Sequence, residues 1–166
     1  MTVPTVTQQL ATELGQLLLR KNLSITTAES CTGGGISYAI TAISGSSAYL
    51  DRSFITYSNK AKQQMLGVKS ATLLQFGAVS EETVVEMARG AALAAGSGVA
   101  IAVSGIAGPT GGSAQKPVGT VCFGFAVEGH VVSTTLVFAG DREQIRQQSI
   151  DFALQQTILL LTAEFT

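Results

Sequence analysis

One stretch of the chain brings hydroxyls, a carboxylate, a thiol and glycines together: residues 26–35 read TTAESCTGGG. It follows a short segment typical of a strand and leads into residues 35–43, which are typical of a helix. At such a junction, backbone N–H groups, side-chain hydroxyls and the positive end of a helix dipole converge, and they stabilise anions or negatively charged transition states. The same residue types are also ordinary helix caps, so the motif alone leaves both interpretations open.

Two further segments place small hydroxyl and glycine residues after an apolar strand. They are residues 44–47, which lead towards residues 57–62, and residues 104–112. Loops that follow parallel strands in an α/β sheet converge on one crevice. We therefore expect a pocket that is rich in Ser, Thr and backbone N–H groups, poor in acids, and supplied with a lysine.

The chain offers a serine or a cysteine as a nucleophile in such a pocket. A Ser-His-Asp triad would need His130, the only histidine, which lies in a turn and is expected at the surface. Lys62 can serve as a base if its surroundings lower its pKa, and is otherwise an exposed helix lysine. Cys31 could act with Glu29 and Lys62 as a Cys-Lys-Glu amidase, or be a small packed residue.

Arg142 and Arg146 lie four residues apart at the start of a helix. Two guanidinium groups on one helix face can bind a phosphate or a carboxylate. Alternatively, they form ion pairs with Asp141 and Glu143 on a solvated face. Neither glycine-rich loop is followed by a Lys-Ser/Thr pair, so the sequence does not indicate the phosphate loop of a nucleoside triphosphatase.

Composition limits the function classes. The 166 residues fit one domain, and 46 % of them are hydrophobic whereas 13 % are charged. The net charge of −1 argues against a nucleic-acid binder. No apolar run reaches the roughly 18 residues of a membrane span, and residues 1–9 lack the pattern of a signal peptide. Two cysteines and one histidine without ligand spacing predict no metal site. We expect a reduced, cytoplasmic protein that binds neither membranes nor nucleic acid.

Hydrophobic periodicity and turn signals predict ten elements in the order α-β-α-β-α-α-β-β-β-α. Cys122 falls inside a strand and is expected in the core. The pattern favours a single α/β domain over residues 1–166, a three-layer α/β/α structure with a mixed β-sheet. The helices are expected over residues 5–22, 35–43, from 59, 80–96 and 140–163, and the strands over 25–28, 53–57, 99–103, 118–127 and 131–138, with a hairpin turn at 128–130.

Seven short motifs together closely resemble the CinA C-terminal domain family. They are TAESCTGG at 27–34, GSS at 45–47, TYSN at 56–59 followed by Ala61 and Lys62, GAVS at 77–80, VSGIAGP at 103–109, KPVGT at 116–120 and GDR at 140–142. The motifs keep the family's order over nearly the whole chain. The resemblance implies the stand-alone form of the family, without the N-terminal domain of its longer members.

Characterised members of this family are nicotinamide-nucleotide amidohydrolases, and the resemblance implies a Ser-Lys amidase. It places the nucleophile at Ser47 and the base at Lys62, with Tyr57 and Ser30 around this pair. The expected reaction converts nicotinamide mononucleotide and water to nicotinate mononucleotide and ammonia, without a metal or redox cofactor. A non-catalytic nucleotide-binding module and an amidase for another small amide are the alternatives.

The resemblance also implies how the nucleotide is bound. The glycine-rich turn is expected to hold the oxyanion through its N–H groups, and Arg142 to bind the substrate. A homodimer or a larger homo-oligomer is expected. The expected substrate-binding residues are Thr32, Gly33, Gly34, Ser104, Gly105, Arg142 and Arg146.

Overall fold

A computed structural model describes residues 4–163, so the ends of the predicted 1–166 domain, residues 1–3 and 164–166, lie outside it. None of the helices within residues 4–163 has the length and apolar character needed to cross a bilayer. The helices are α1 (Val6–Lys21), α2 (Gly35–Thr41), α3 (Asn59–Leu66), α4 (Ser70–Phe76), α5 (Glu81–Ala95) and α6 (Arg142–Thr162), with a 3₁₀ turn at Ser46–Ala48. The strands are β1 (Ile25–Glu29), β2 (Phe54–Ile55), β3 (Val99–Gly105), β4 (Thr120–Val127) and β5 (His130–Val137).

The five strands form one mixed sheet in the order β2-β1-β3-β4-β5. β1 is parallel to β2 and β3, whereas β4 is antiparallel to both β3 and β5. After β1 the chain moves to one side of the sheet, and from β3 onwards it builds the other side. The carboxyl ends of β1 and β3 therefore lie next to each other where the strand order reverses, which is the usual position of a ligand crevice in α/β sheets.

Strand alternation divides the core into two layers of different side-chain size. On one face Ile101 and Val103 pack in a cluster with residues of α1, α2 and α6. On the other face Ala100 and Ala102 pack in a cluster with residues of α3 and α5. The predicted three-layer α/β/α fold with a mixed sheet is confirmed.

Small residues let α5 lie close to its neighbours. A Cβ at Gly124 in β4 would collide with the carbonyl oxygen of Val84 in α5. A Cβ at Gly90 in α5 would collide with the carbonyl oxygen of Leu66, the last residue of α3. The seating of α3 on α5 therefore depends on the absence of a side chain at residue 90.

Helix ends follow local sequence signals. Thr5 and Asp141 begin α1 and α6 as complete capping boxes, with Gln8 and Gln144 as the reciprocal partners. The hairpin turn between β4 and β5 consists of Glu128 and Gly129, whose φ values are 47° and 88°, as a two-residue hairpin loop requires.

Two parts of the element prediction are wrong. The strand expected over residues 53–57 is ordered as a strand only at Phe54–Ile55, because the chain turns away after Thr56 to begin α3. The helix α4 was not predicted. It has seven residues, none of them fully buried, and so it lacks the apolar stripe on which a helix prediction depends.

Candidate functional site

The end of β1 and the end of β3 meet at the centre of the site. The N–H of Ser30, the residue after β1, donates to the carbonyl of Val103 at 3.0 Å. Ser104 and Gly105 complete β3 beside it. The first and third glycine-containing segments are thus brought together at the reversal of strand order, as the sequence predicts.

Lys62 is buried at this point and reaches Ser30. The lysine lies in the first half of α3, with its side chain only 1 % exposed. Its Nζ lies 3.2 Å from Ser30 Oγ, 2.9 Å from the carbonyl oxygen of Thr56 and 3.3 Å from that of Tyr57. The two carbonyls can only accept hydrogen bonds, whereas the hydroxyl can also donate. The charged amine can donate to all three oxygens, whereas the neutral amine can donate to the two carbonyls and accept from the Ser30 hydroxyl.

The electrostatics favour this neutral form. Burial lowers the pKa of the Lys62 amine from its ordinary 10.5, and Cys31 opposes this shift more weakly. Within residues 4–163 the one ion pair joins Arg52 to Asp51, so no carboxylate there lies within ion-pair distance of Lys62. Lys62 thus has the surroundings of a base rather than those of an exposed helix lysine.

Ser30 and Lys62 open into a cleft of about 290 Å³. The residues that follow β1, the end of β3 and the loop that follows β3 contribute to its walls. The lining includes Ser30, Cys31, Tyr57, Asn59, Lys62, Ser104, Gly105, Gly108 and Arg142.

Arg142 faces the cleft from the start of α6. It donates to the carbonyl of Gly108 at 2.9 Å and contacts the Tyr57 hydroxyl at 3.3 Å. Asp141 caps α6 instead of pairing with this arginine, so the ion-pair alternative is not observed. A guanidinium and a phenol at the mouth of the cleft form a donor pair suited to an anion.

Ser47 is not brought to Lys62. Its segment is fixed at the opposite end of β1, where the N–H of Ile25 donates to the Tyr49 carbonyl at 2.7 Å and Leu50 bridges to Ile25. From Ile25 to Ser30 a strand advances about 16 Å. Ser47 is exposed and does not line the cleft. The pairing of Ser47 with Lys62 therefore needs correction, because the lysine meets Ser30 instead.

The glycine-rich turn faces away from the cleft. Thr32, Gly33 and Gly34 line a separate groove of about 650 Å³, together with Arg146. Arg146 donates to the carbonyls of Cys31 and Thr32 at 3.1 and 3.3 Å. These two bonds hold the turn, whereas Arg142 faces the cleft, so the structure separates the two arginines that the sequence grouped.

The thiol and the histidine are poor candidates for the chemistry. Burial raises the pKa of the Cys31 thiol to about 11, which keeps it protonated near neutral pH. His130 pairs with Val127 at the start of β5, and Val127 pairs with Val99, the first residue of β3. His130 therefore lies at the end of the sheet opposite to the end that carries Ser104. Cys122 is buried in β4, as expected.

Sequence reasoning missed two contributors to the site. Asn59, the first residue of α3, lines the cleft near Lys62; its place in the TYSN motif was the available signal. The carbonyl of Thr56 holds the lysine amine, but a backbone acceptor leaves no trace in residue type.

The matching family model defines the class of this protein: it is the CinA C-terminal domain, and it matches residues 7–161. The chain belongs to the CinA C-terminal domain family, and the resemblance noted in the sequence is confirmed. The nicotinamide-nucleotide amidohydrolase PncC of Enterobacter agglomerans is 56 % identical over 151 residues, which cover 90 % of this chain and 92 % of that protein. The protein of the same name from Pseudomonas putida is 50 % identical, covering 92 % and 96 % of the two chains.

Solved structures of the same superfamily share the fold. A competence/damage inducible protein from Agrobacterium tumefaciens superposes with a TM-score of 0.92 at 44 % identity, covering 96 % of this chain and 99 % of that one. A CinA superfamily protein from Klebsiella pneumoniae gives 0.91 at 38 % identity, with coverages of 93 % and 97 %.

Proposed function

We propose that this chain is a nicotinamide-nucleotide amidohydrolase that hydrolyses nicotinamide mononucleotide to nicotinate mononucleotide and ammonia. The observation that supports this most is the buried Lys62 amine 3.2 Å from Ser30 Oγ, in a cleft that also presents Arg142. Relatives that are 50 % and 56 % identical bear the name of this activity.

We assign the nucleophile to Ser30 and the base to Lys62. Ser30 Oγ attacks the carboxamide carbon while Lys62 Nζ accepts its proton. The tetrahedral intermediate collapses, Lys62 returns the proton to the departing nitrogen, and ammonia leaves an acyl ester on Ser30. Water then attacks this ester with Lys62 again as the base, which releases the nicotinate nucleotide and restores the hydroxyl.

The oxyanion and the phosphate need separate partners. The N–H of Cys31, directly after the nucleophile, is the position that donates to the oxyanion in many serine hydrolases, and one such donor contributes about 3 kcal/mol to transition-state stability. We assign binding of the 5′-phosphate to Arg142 together with the Tyr57 hydroxyl. The guanidinium of Arg142 lies 3.3 Å from this hydroxyl.

Ammonia release tests the function directly. Purified protein incubated with nicotinamide mononucleotide should form ammonia and nicotinate mononucleotide in equal amounts, and Ser30→Ala should form neither. Binding of the nucleotide without ammonia release would identify a binding module instead. Ammonia from another small carboxamide, but not from this nucleotide, would identify a different amidase.

Arg142→Ala is expected to raise KM for the mononucleotide about 10- to 100-fold with a smaller change in kcat, because it removes a forked donor for the phosphate. Steady-state kinetics measure this, with Arg20→Ala, at the end of α1, as the matched control. Nicotinamide riboside, which lacks the phosphate, should lose little from the substitution. An equal loss with both substrates would place Arg142 elsewhere in the mechanism.

Cys31→Ala should keep kcat within about threefold of the parent. Its thiol is protonated near neutral pH, because burial raises its pKa to about 11, and the N–H assigned to the oxyanion is retained. The measurement is kcat together with the midpoint of thermal unfolding. A stably folded Cys31→Ala protein as inactive as Ser30→Ala would make the thiol the nucleophile.

A further inference from the structure

Glu29, the last residue of β1, is a buried acid that the proposed reaction does not use. Its side chain is 0 % exposed. One carboxylate oxygen, Oε1, accepts from the Thr32 hydroxyl at 2.7 Å and from the N–H of Ile36 at 2.8 Å. The other, Oε2, accepts from the Thr27 hydroxyl at 3.0 Å and from the N–H of Ser37 at 3.0 Å. Both oxygens are thus occupied by donors of the chain itself.

These bonds replace a missing helix cap. The N-cap of α2 is Gly34, which has no side chain to accept from the free N–H groups of the first turn. Glu29 accepts from two of those groups and also from Thr32 in the turn. The carboxylate therefore joins the end of β1, the turn at residues 30–34 and the start of α2 into one unit, and Ser30 is the first residue of that turn.

We propose that Glu29 is a positioning residue that holds Ser30 Oγ within reach of Lys62 Nζ. This inference rests on the proposed function, in which Ser30 is the nucleophile. Glu29 does not line the cleft, so it acts through the turn rather than on the substrate. Its occupied oxygens also remove it from the Cys-Lys-Glu arrangement that the sequence left open.

The substitution Glu29→Gln separates positioning from packing, because glutamine has almost the same shape. Each carboxylate oxygen accepts from one hydroxyl and one backbone N–H. The amide NH₂ group of glutamine therefore faces a backbone N–H in either orientation. A hydroxyl can rotate to accept, but an N–H cannot. One of the two bonds to α2 is lost, and the turn must shift.

We expect Glu29→Gln to lower kcat about 100-fold, as a misplacement of about 1 Å does, while KM for nicotinamide mononucleotide stays within about threefold. The matched control is Glu86→Gln in α5. Glu86 likewise accepts from a backbone N–H, that of Lys69, and from a hydroxyl, that of Thr72, but it does not line the cleft. In the control, each oxygen accepts from a single donor, so the glutamine oxygen can keep the Lys69 N–H and the Thr72 hydroxyl can rotate to accept from the amide. The control should therefore keep its kcat and change little in thermal stability.

A folded Glu29→Gln protein with parental kcat, or with a loss no larger than that of Glu86→Gln, would overturn the inference. If Glu29→Gln does not fold, Thr32→Val decides, since it removes one donor to Oε1, and its kcat should fall about tenfold; parental kcat there would overturn the inference equally. Full activity of Ser30→Ala would instead contradict the assignment of Ser30 as the nucleophile, and absence of ammonia release by the parent protein would contradict the proposed function itself. An inactive Ser30→Ala with a fully active Glu29→Gln contradicts the positioning role alone.

Discussion

Ser30→Ala is expected to lower kcat for nicotinamide mononucleotide by about a thousandfold or more, because loss of the nucleophile removes the whole covalent route. Its free energy of unfolding should change little, since the substitution removes a single hydrogen bond of the hydroxyl, the one with Lys62 Nζ at 3.2 Å. Ammonia release under saturating substrate measures the first effect, and thermal unfolding measures the second.

Ser47→Ala is the matched control for that experiment. Ser47 is exposed near the opposite end of β1, and its substitution should leave kcat within about twofold of the parent. The reverse pattern, with Ser47→Ala inactive and Ser30→Ala active, would restore Ser47 as the nucleophile. It would also require a conformation in which residues 44–48 reach the other end of the sheet.

Lys62→Met is expected to lower kcat by a similarly large factor, about a thousandfold, because it keeps the length of the side chain but removes the proton acceptor. The parent's activity should rise with pH through one ionisation, that of Lys62, because only the neutral amine can accept the Ser30 proton. Burial lowers the pKa of this amine below 10.5, so the rise occurs at a lower pH than a solvated lysine would give. A pH–rate profile of kcat measures it, and an unchanged acidic limb in Lys62→Met would contradict the assignment.

Protein stability should report the same ionisation. Between the lowered pKa of folded Lys62 and 10.5, the unfolded chain binds more protons than the folded one, so the free energy of unfolding increases with pH in that interval. Below it, the cost of holding a buried lysine is constant. The unfolding free energy of the parent minus that of Lys62→Met should therefore become more positive towards alkaline pH. A difference independent of pH would show that the lysine titrates at its ordinary pKa.

Elements that depend on local signals could be predicted from the sequence. The apolar run over residues 99–103 forms most of the buried strand β3, the turn predicted at 128–130 is made by Glu128 and Gly129, and the helix predicted from residue 140 is α6, which Asp141 caps. In each of these elements, short-range hydrogen bonds or a continuous apolar pattern decide the structure. The family could be predicted too, because its motifs extend along the chain.

The partner of Lys62 could not be predicted in the same way. Ser30 and Ser47 both lie in loops beside strands, but the bridge between Leu50 and Ile25 places residues 44–48 at the amino end of β1, whereas Ser30 follows its carboxyl end. This difference arises from a long-range strand contact. The two carbonyls that hold the lysine are backbone groups, and the residue types there do not reveal them.

The glycine at the crossing of α3 and α5 limits how this protein can be engineered for heat resistance. Replacing a helical glycine with alanine is a routine stabilising change, with a gain of about 1 kcal/mol in helix propensity. At Gly90 the added methyl group would meet the carbonyl of Leu66, four residues after Lys62 in the same short helix. The displaced element would be the one that delivers the amine to Ser30. A scan that ranks glycines by helix propensity alone would therefore select Gly90, where alanine would favour the helical state of α5 but displace α3 and lower turnover.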